Sequence, residues 1–375
     1  MAKIDLLIVG GGVVGMTTAI AAAEAGARVM LIDAAINAGS TANAGSLHVQ
    51  MQSRFIRLYP DQAPGVEASL PLYLEAVREW ERLDAELGPF ELVRKGGLML
   101  AESTEQMAFL EKKAARETGR GLSVDLLDRT ALDRLAPWLG PQIVGAELCR
   151  DEGKLNPLVA NQRLRQRATD LGVGMLIDRV TSVVSGSAVT VVCASGARYV
   201  ADRAVLAAAW GVGDLVKGLG LSLPISAEPL HMNITEAGAA RINHLVQHAE
   251  RSITLKQFGS GQIVIGGGWP AMSRGNAEVP AVAAQSMLGN VALAARLVPS
   301  IGRLRVMRTW AGMNTTLDGL SLLGPVPGAE RVILAVPGDA GYTLGPICGR
   351  TAACLAMGTT PPIDTGRLTP RRFSA

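Results

Sequence analysis

The stretch Lys3-Ile4-Asp5-Leu6-Leu7-Ile8-Val9-Gly10-Gly11-Gly12-Val13-Val14-Gly15 opens the chain and decides its fold. Residues 3–9 are a short apolar run that stops at glycines, the pattern of a parallel strand buried on both faces. Residues 16–25 are Ala-rich and read as a helix ended by Gly26; residues 28–32 (RVMLI) read as a second strand closed by Asp33. Strand, glycine turn, helix and strand fit the roughly 30 residues of one βαβ unit. The glycine spacing has a mechanical basis. Gly10 allows the tight turn, Gly12 lets a pyrophosphate approach the backbone, and Gly15 lets helix pack on strand. The helix beginning at Val13 and Val14 aims its N–H groups and positive dipole end at phosphates. Asp33, followed by Ala34, is placed to accept from a ribose 2′-hydroxyl and to repel a 2′-phosphate. This motif binds a dinucleotide but does not by itself separate a flavin from a nicotinamide.

The 375 residues are 48% hydrophobic and only 4% aromatic, so the apolar content is mainly Ala, Leu and Val, as in a compact α/β enzyme of two lobes. The net charge of +3 is spread without a basic stripe, and no nucleic-acid partner is expected; the arginines in 367–372 read as a solvated tail. Cys149, Cys193, Cys348 and Cys354 form no C-x-x-C pair, so neither an iron–sulfur cluster nor any other metal site is expected on this chain. Reduced thiols and the lack of a signal peptide suggest a cytoplasmic protein. No apolar run reaches the ~18 residues of a transmembrane segment.

Further helices are expected at 68–87, 104–118, 157–171, 281–297 and up to 357, and further strands at 98–101, 174–184, 188–194, 198–200, 203–208, 305–311 and 331–336. Residues 231–235, 252–257 and 262–266 read as a separate antiparallel sheet. The expected fold is mixed α/β: a Rossmann-type dinucleotide-binding domain (1–80, 147–222 and 305–375) with a discontinuous substrate domain (81–146 and 223–304). His244 and His248, four apart, are expected on the surface of a helix.

Three blocks beyond the glycine turn carry a family resemblance. Ala38-Gly39-Ser40-Thr41-Ala42-Asn43-Ala44-Gly45-Ser46-Leu47-His48 resembles the second flavin-contact loop of the D-amino-acid oxidase/glycine oxidase superfamily. Trp310-Ala311-Gly312, with Thr316, Asp318-Gly319 and Gly324, is similar to its W-x-G segment, and Gly338-Asp339-Ala340-Gly341-Tyr342-Thr343-Leu344 to its closing flavin-binding turn. The stretch 41–59 looks most like the β (FAD) subunits of opine oxidases, with D-hydroxyproline dehydrogenase β subunits as near relatives.

The resemblance implies non-covalent FAD. Gly10, Gly12, Gly15 and Asp33 would hold its ADP half, with Ser40 and Thr41 at the pyrophosphate and the backbone of Val180 at the adenine. Ala44, Gly45, Ser46 and Leu47 would pass along the isoalloxazine, and Gly312, Gly341, Tyr342, Thr343 and Leu344 would close over it. Ala207, Ala208 and Trp210 belong to a further FAD-contact turn, in which Ala209 replaces an expected glycine. Asn314 stands where many relatives carry an arginine that pairs with the substrate carboxylate, and an amide cannot make that bidentate pair. Either another cation, such as Arg54 or Arg57, takes over, or the substrate presents a group better matched by an amide. The implied reaction is hydride transfer from the substrate α C–H to the flavin, then imine hydrolysis, on an opine such as octopine or nopaline. Alternatives are a D-hydroxyproline or D-amino-acid dehydrogenase, an NAD-dependent dehydrogenase, and a non-catalytic FAD-bearing structural subunit.

His48 has two readings: a residue that orients substrate or takes an ammonium proton, or a loop histidine bonded to backbone. His231 begins a strand lining the substrate lobe, and Tyr342 is the remaining candidate catalytic side chain. No Ser/His/Asp constellation is visible, which fits a hydride transfer needing no strong base if the amine binds neutral. The resemblance further implies a hetero-oligomer with a larger flavoprotein and a small iron–sulfur subunit, with FMN possible on or between the partner subunits.

Overall fold

A computed structural model describes residues 3–374, the side chain of Arg54 excepted; the outermost residues 1, 2 and 375 assigned to the dinucleotide domain lie outside it. Strand Ile4–Val9 lies between Val29–Asp33 and Arg198–Leu206, parallel to both, so the side chains of Leu6 to Val9 are buried from two sides. The first sheet runs, in order, Leu322–Val326, Ala329–Val336, Arg198–Leu206, Ile4–Val9, Val29–Asp33 and Gly174–Ile177, with the hairpin Val180–Ser185/Val189–Cys193 added beside Arg198–Leu206.

Helix Val13–Glu24 packs against the C-terminal helix Gly341–Met357 through small residues. A Cβ on Gly349 would come within 2.0 Å of Thr17 Oγ1, and one on Gly345 within 2.4 Å of Val13 Cγ1. The two glycines therefore set the closeness of the helix pair that carries both cavity-facing N-termini.

The second sheet is ordered Val306–Thr316, Ser226–Ala237, Gln262–Gly266, Thr254–Gln257, Leu245–His248, Gly97–Ala101, Gly145–Cys149 and Val124–Asp128. Its own core is built from Leu98, Leu100, Ile253, Leu255, Ile263 and their neighbours.

Several expectations are corrected. Residues 174–184 are two strands, not one. Gly174–Ile177 pairs with Val29–Asp33, and the chain then turns at Asp178, whose carboxylate accepts from Arg179 N at 2.7 Å, so that Val180–Ser185 joins another neighbour. Conversely, 198–200 and 203–206 fall within one strand, Arg198–Leu206, which ends before Ala207 and Ala208. Strands Gly145–Cys149 and Val306–Thr316 hydrogen-bond into the second sheet, although the sequence boundaries put Val306–Thr316 and part of Gly145–Cys149 with the dinucleotide domain. His248 lies on strand Leu245–His248 with His244 just before it, and both are buried rather than on a helix surface.

Candidate active site

A cavity of about 700 Å³ runs from the glycine turn to the second sheet. Its nucleotide end lies beyond the carboxyl ends of the parallel strands, where such sheets bind ligands. A Cβ on Gly15 would come within 1.8 Å of Gly10 O, and one on Gly10 (φ 107°) within 2.4 Å of Ala207 O. Only glycine fits either place. A Cβ on Gly11 would approach Asp33 Oδ2 to 2.6 Å, so the Asp33 carboxylate sits beside the turn.

Ser40 Oγ accepts Val13 N at 2.9 Å, and the Val13–Glu24 helix has no side-chain cap of its own. Its remaining first-turn N–H groups are left for an anion. Ala34, Thr41 and Val180 also line this end, with Ala207, Ala208 and Trp210 opposite. Ala209 has φ 50°, the left-handed region a glycine enters freely, so the expected turn is kept at a cost of about 1–2 kcal/mol.

The middle of the cavity is framed by residues 44–48 and 338–344. Gly45 (φ 78°) faces Leu155 O, which a Cβ would approach to 2.1 Å, and Leu47 is fully buried behind the loop. Gly312 lies against Ala38 O and Ala42, while Trp310 Nε1 donates to Ala42 O at 2.9 Å. The N-terminus of Gly341–Met357 is likewise without a side-chain cap. Thr343 Oγ1 accepts His48 N at 3.0 Å, and Leu344 is buried in the same turn.

A buried polar network that sequence reasoning missed holds this loop from beneath. Glu152, fully buried, accepts Val49 N at 2.9 Å with one oxygen, and Gln50 Nε2 (2.7 Å) and Gln247 Nε2 (2.8 Å) with the other. Lys113 Nζ donates to Gln50 Oε1 at 3.0 Å and pairs with Glu117 and Glu147 at 2.8 and 2.6 Å. Burial pushes the Glu147 carboxyl up to about 9, against the opposing pull of the Lys113 ammonium.

At the second-sheet end the four candidate catalytic residues part company. His231, opposite Ala311 on Ser226–Ala237, lines the cavity fully buried, and neither ring nitrogen has a hydrogen-bond partner. Burial lowers its basicity, with Asn233 opposing. His48 is half-buried at the cavity wall, its Nδ1 3.3 Å from Gln52 Nε2 and 3.8 Å from Glu152 Oε1. Asn314 lines the cavity and donates to Asp339 Oδ1 at 3.0 Å. The Tyr342 hydroxyl instead bonds Asn161 Oδ1 at 3.2 Å, and its ring stacks on Trp80, so the residue meets the cavity through its backbone.

Arg57 is spent elsewhere: its guanidinium lies 4.4 Å over the Phe109 ring and its Nε donates to Ala249 O. The side chain of Arg54 lies outside the described residues. Among the described residues, the arginine lining this end is Arg251, whose guanidinium pairs with Glu102 at 3.3 Å. Lys256 and Lys154, both buried on this side, carried no signal beyond being lysines at inward positions of short strands.

The chain belongs to the DAO family of FAD-dependent oxidoreductases, whose family profile matches residues 5–355. It is 25% identical to a subunit of the opine oxidase of Rhizobium meliloti, over 86% of this chain and 85% of the relative. It is 28% identical to glycine oxidase of Pseudomonas putida, over 98% of both. In fold it is similar to the crystal structure of glycine oxidase from Geobacillus kaustophilus, with a TM-score of 0.87, 22% identity and full coverage of both chains. The glycine cradle, the Asp33 carboxylate and the two uncapped helix ends fit FAD, which this enzyme uses as its cofactor. Among the described residues no helix is long and apolar enough to cross a membrane.

Proposed function

We propose that this enzyme oxidises the C–N bond of a secondary-amine amino acid of the opine type. One observation carries the reading: Asn314, at the position where a carboxylate-binding arginine is expected, is tied to Asp339, while among the described residues the arginine lining the second-sheet end is Arg251, on the turn after Leu245–His248. A small amino acid needs one tight anchor beside its reacting carbon. A long substrate with two carboxylates spreads its anchoring over distant contacts and still orients that carbon. The likeness to the opine oxidase of Rhizobium meliloti supports the same class.

Bound FAD supplies the hydride acceptor. The chain's part is to hold the amine neutral and oriented. Leu230, His231 and Met232 of strand Ser226–Ala237 line the cavity wall and shape the space in which the amine is held. As the α C–H bond breaks, the nitrogen lone pair forms C=N; water then adds, the C–N bond breaks, and a 2-oxo acid and an amine leave. Thr343, through His48 N, and Glu152, through Val49 N, keep the contact loop in place during these steps.

The relative's name, a subunit of opine oxidase, also supports a place in a multi-subunit complex, and we infer a larger flavoprotein and a small iron–sulfur protein as the partners. Three of the four cysteines are buried and all four are unpaired, so an iron–sulfur centre would sit on a partner, as would any FMN at a boundary. Anaerobic mixing with opines, D-amino acids and D-hydroxyproline tests the reading. Bleaching of the flavin absorbance by opines first is expected, and bleaching by D-alanine alone would overturn it.

A further inference from the structure

Lys256 sits in the middle of the second sheet, on Thr254–Gln257, between Gln262–Gly266 and Leu245–His248. Its side chain is fully buried, and its Nζ donates to a single partner, Ser46 Oγ, at 2.6 Å. No carboxylate pairs with it among the described residues, which is costly for a buried ammonium. The groups facing it give no relief. Lys154, also buried, spends its Nζ on Ile242 O (2.8 Å) and Gln257 O (2.7 Å) and repels a second cation. His244, beside Lys154, is neutral at pH 7 because burial holds it down at about 4. Gln247 and Glu152, on the neighbouring elements, bond to each other, and Glu152 is otherwise taken up by the 49–50 backbone and Gln50. Ser46, in contrast, lines the cavity.

We propose that Lys256, acting through Ser46, takes the proton that an amine substrate must lose before it can be oxidised in this cavity. The inference rests on the amine reading given above. The geometry is that of a relay, since a hydroxyl is one donor and two acceptors at once. The substrate N–H bond breaks and its proton passes to Ser46 Oγ as the Ser46 proton passes to the Lys256 Nζ lone pair. No electrons change hands. The substrate is left with the free nitrogen lone pair that hydride loss requires, Lys256 is left as an ammonium, and its proton goes to solvent before the next turnover. Burial brings Lys256 down to about 7, so a neutral amine is available at ordinary pH.

The test uses FAD-loaded wild type, Lys256→Met and Ser46→Ala with two substrates: an N-alkyl amino acid and its N-trifluoroethyl analogue, whose amine is already neutral at pH 7. Either substitution is expected to lower kcat/KM at pH 7 by about a hundredfold for the ordinary amine and by less than about threefold for the fluorinated one. The ordinary amine should recover as the pH approaches its own pKa. A merely structural role would depress both substrates alike. Equal losses, or no loss, would overturn the proposal. Should Lys256→Met lose its flavin, Ser46→Ala decides by the same ratio. A wild type that oxidises neither amine overturns the amine reading itself, and is thereby told apart from equal losses.

Discussion

Asn314 donates its side-chain amide to Asp339 Oδ1 at 3.0 Å, joining the second-sheet strand Val306–Thr316 to the turn before the last helix. The bond occupies the amide at that point of the cavity wall. On the proposed reading, a substrate carboxylate is anchored instead toward Arg251, on the turn between Leu245–His248 and Thr254–Gln257.

Asn314→Arg would put a guanidinium into that space. The ratio of kcat/KM for D-octopine to that for D-alanine is expected to fall by about tenfold, equivalent to about 1.4 kcal/mol. An unaltered ratio would show that position 314 does not face the substrate.

Gly12→Val is expected to abolish FAD retention. A Cβ there already stands 2.9 Å from Ser40 Oγ, the group that holds Val13 N, and further methyls intrude where the pyrophosphate meets backbone. Asp33→Ala should weaken FAD by about 1–3 kcal/mol, the scale of a charge-assisted hydrogen bond. The flavin-to-protein absorbance ratio after gel filtration reads both, and full flavin content in Gly12→Val would refute the assignment of this turn.

Glu152→Gln replaces an acceptor-only carboxylate by a group that must point an NH₂ at other donors, since Val49 N, Gln50 Nε2 and Gln247 Nε2 all donate there. A loss of about 1–3 kcal/mol is expected, together with weaker FAD retention because the contact loop is freed. Denaturant midpoints and dilution assays measure the two effects. Wild-type behaviour in both would mean that the network does not hold the loop.

His244 predicts a pH dependence of stability. Its Nδ1 is unpartnered, and burial, with Lys154 and Lys95 nearby, lowers its pKa from 6.5 to about 4. The unfolded chain takes up the proton first, so the stability this residue contributes is present above about pH 6.5 and is lost as pH falls toward 4. His244→Gln should remove a slope of up to roughly 1.4 kcal/mol per pH unit within that window. Unfolding free energies of wild type and variant at pH 7 and 5 provide the check; parallel curves would contradict it.

The dinucleotide end was legible because its physics is local. Gly10, Gly15 and Asp33 lie within one βαβ unit, and the turn admits only glycine at the first two. The loop 44–48 and the helix start at Gly341 were legible by resemblance, and they frame one cavity with the glycine turn. What stayed hidden depends on distant partners. Glu152 meets Val49 across 103 positions, and Lys256 meets Ser46 across 210, so no periodicity announces either pair. The Tyr342 hydroxyl was misjudged for the same reason, since its partners Asn161 and Pro157 come from another helix. His244 and His248 suggested a helix by their spacing of four, but Val246 between them belongs to an interior strand paired with Leu98 and Leu255.

The most direct test of the amine-oxidation account is the anaerobic reduction of the bound flavin, followed by stopped-flow absorbance with D-octopine and with D-alanine at equal concentration. The account predicts that D-octopine bleaches the flavin at least about tenfold faster, the factor that about 1.4 kcal/mol of added transition-state binding supplies. A flavin bleached faster by D-alanine, or by neither compound nor any other secondary-amine acid, would contradict it.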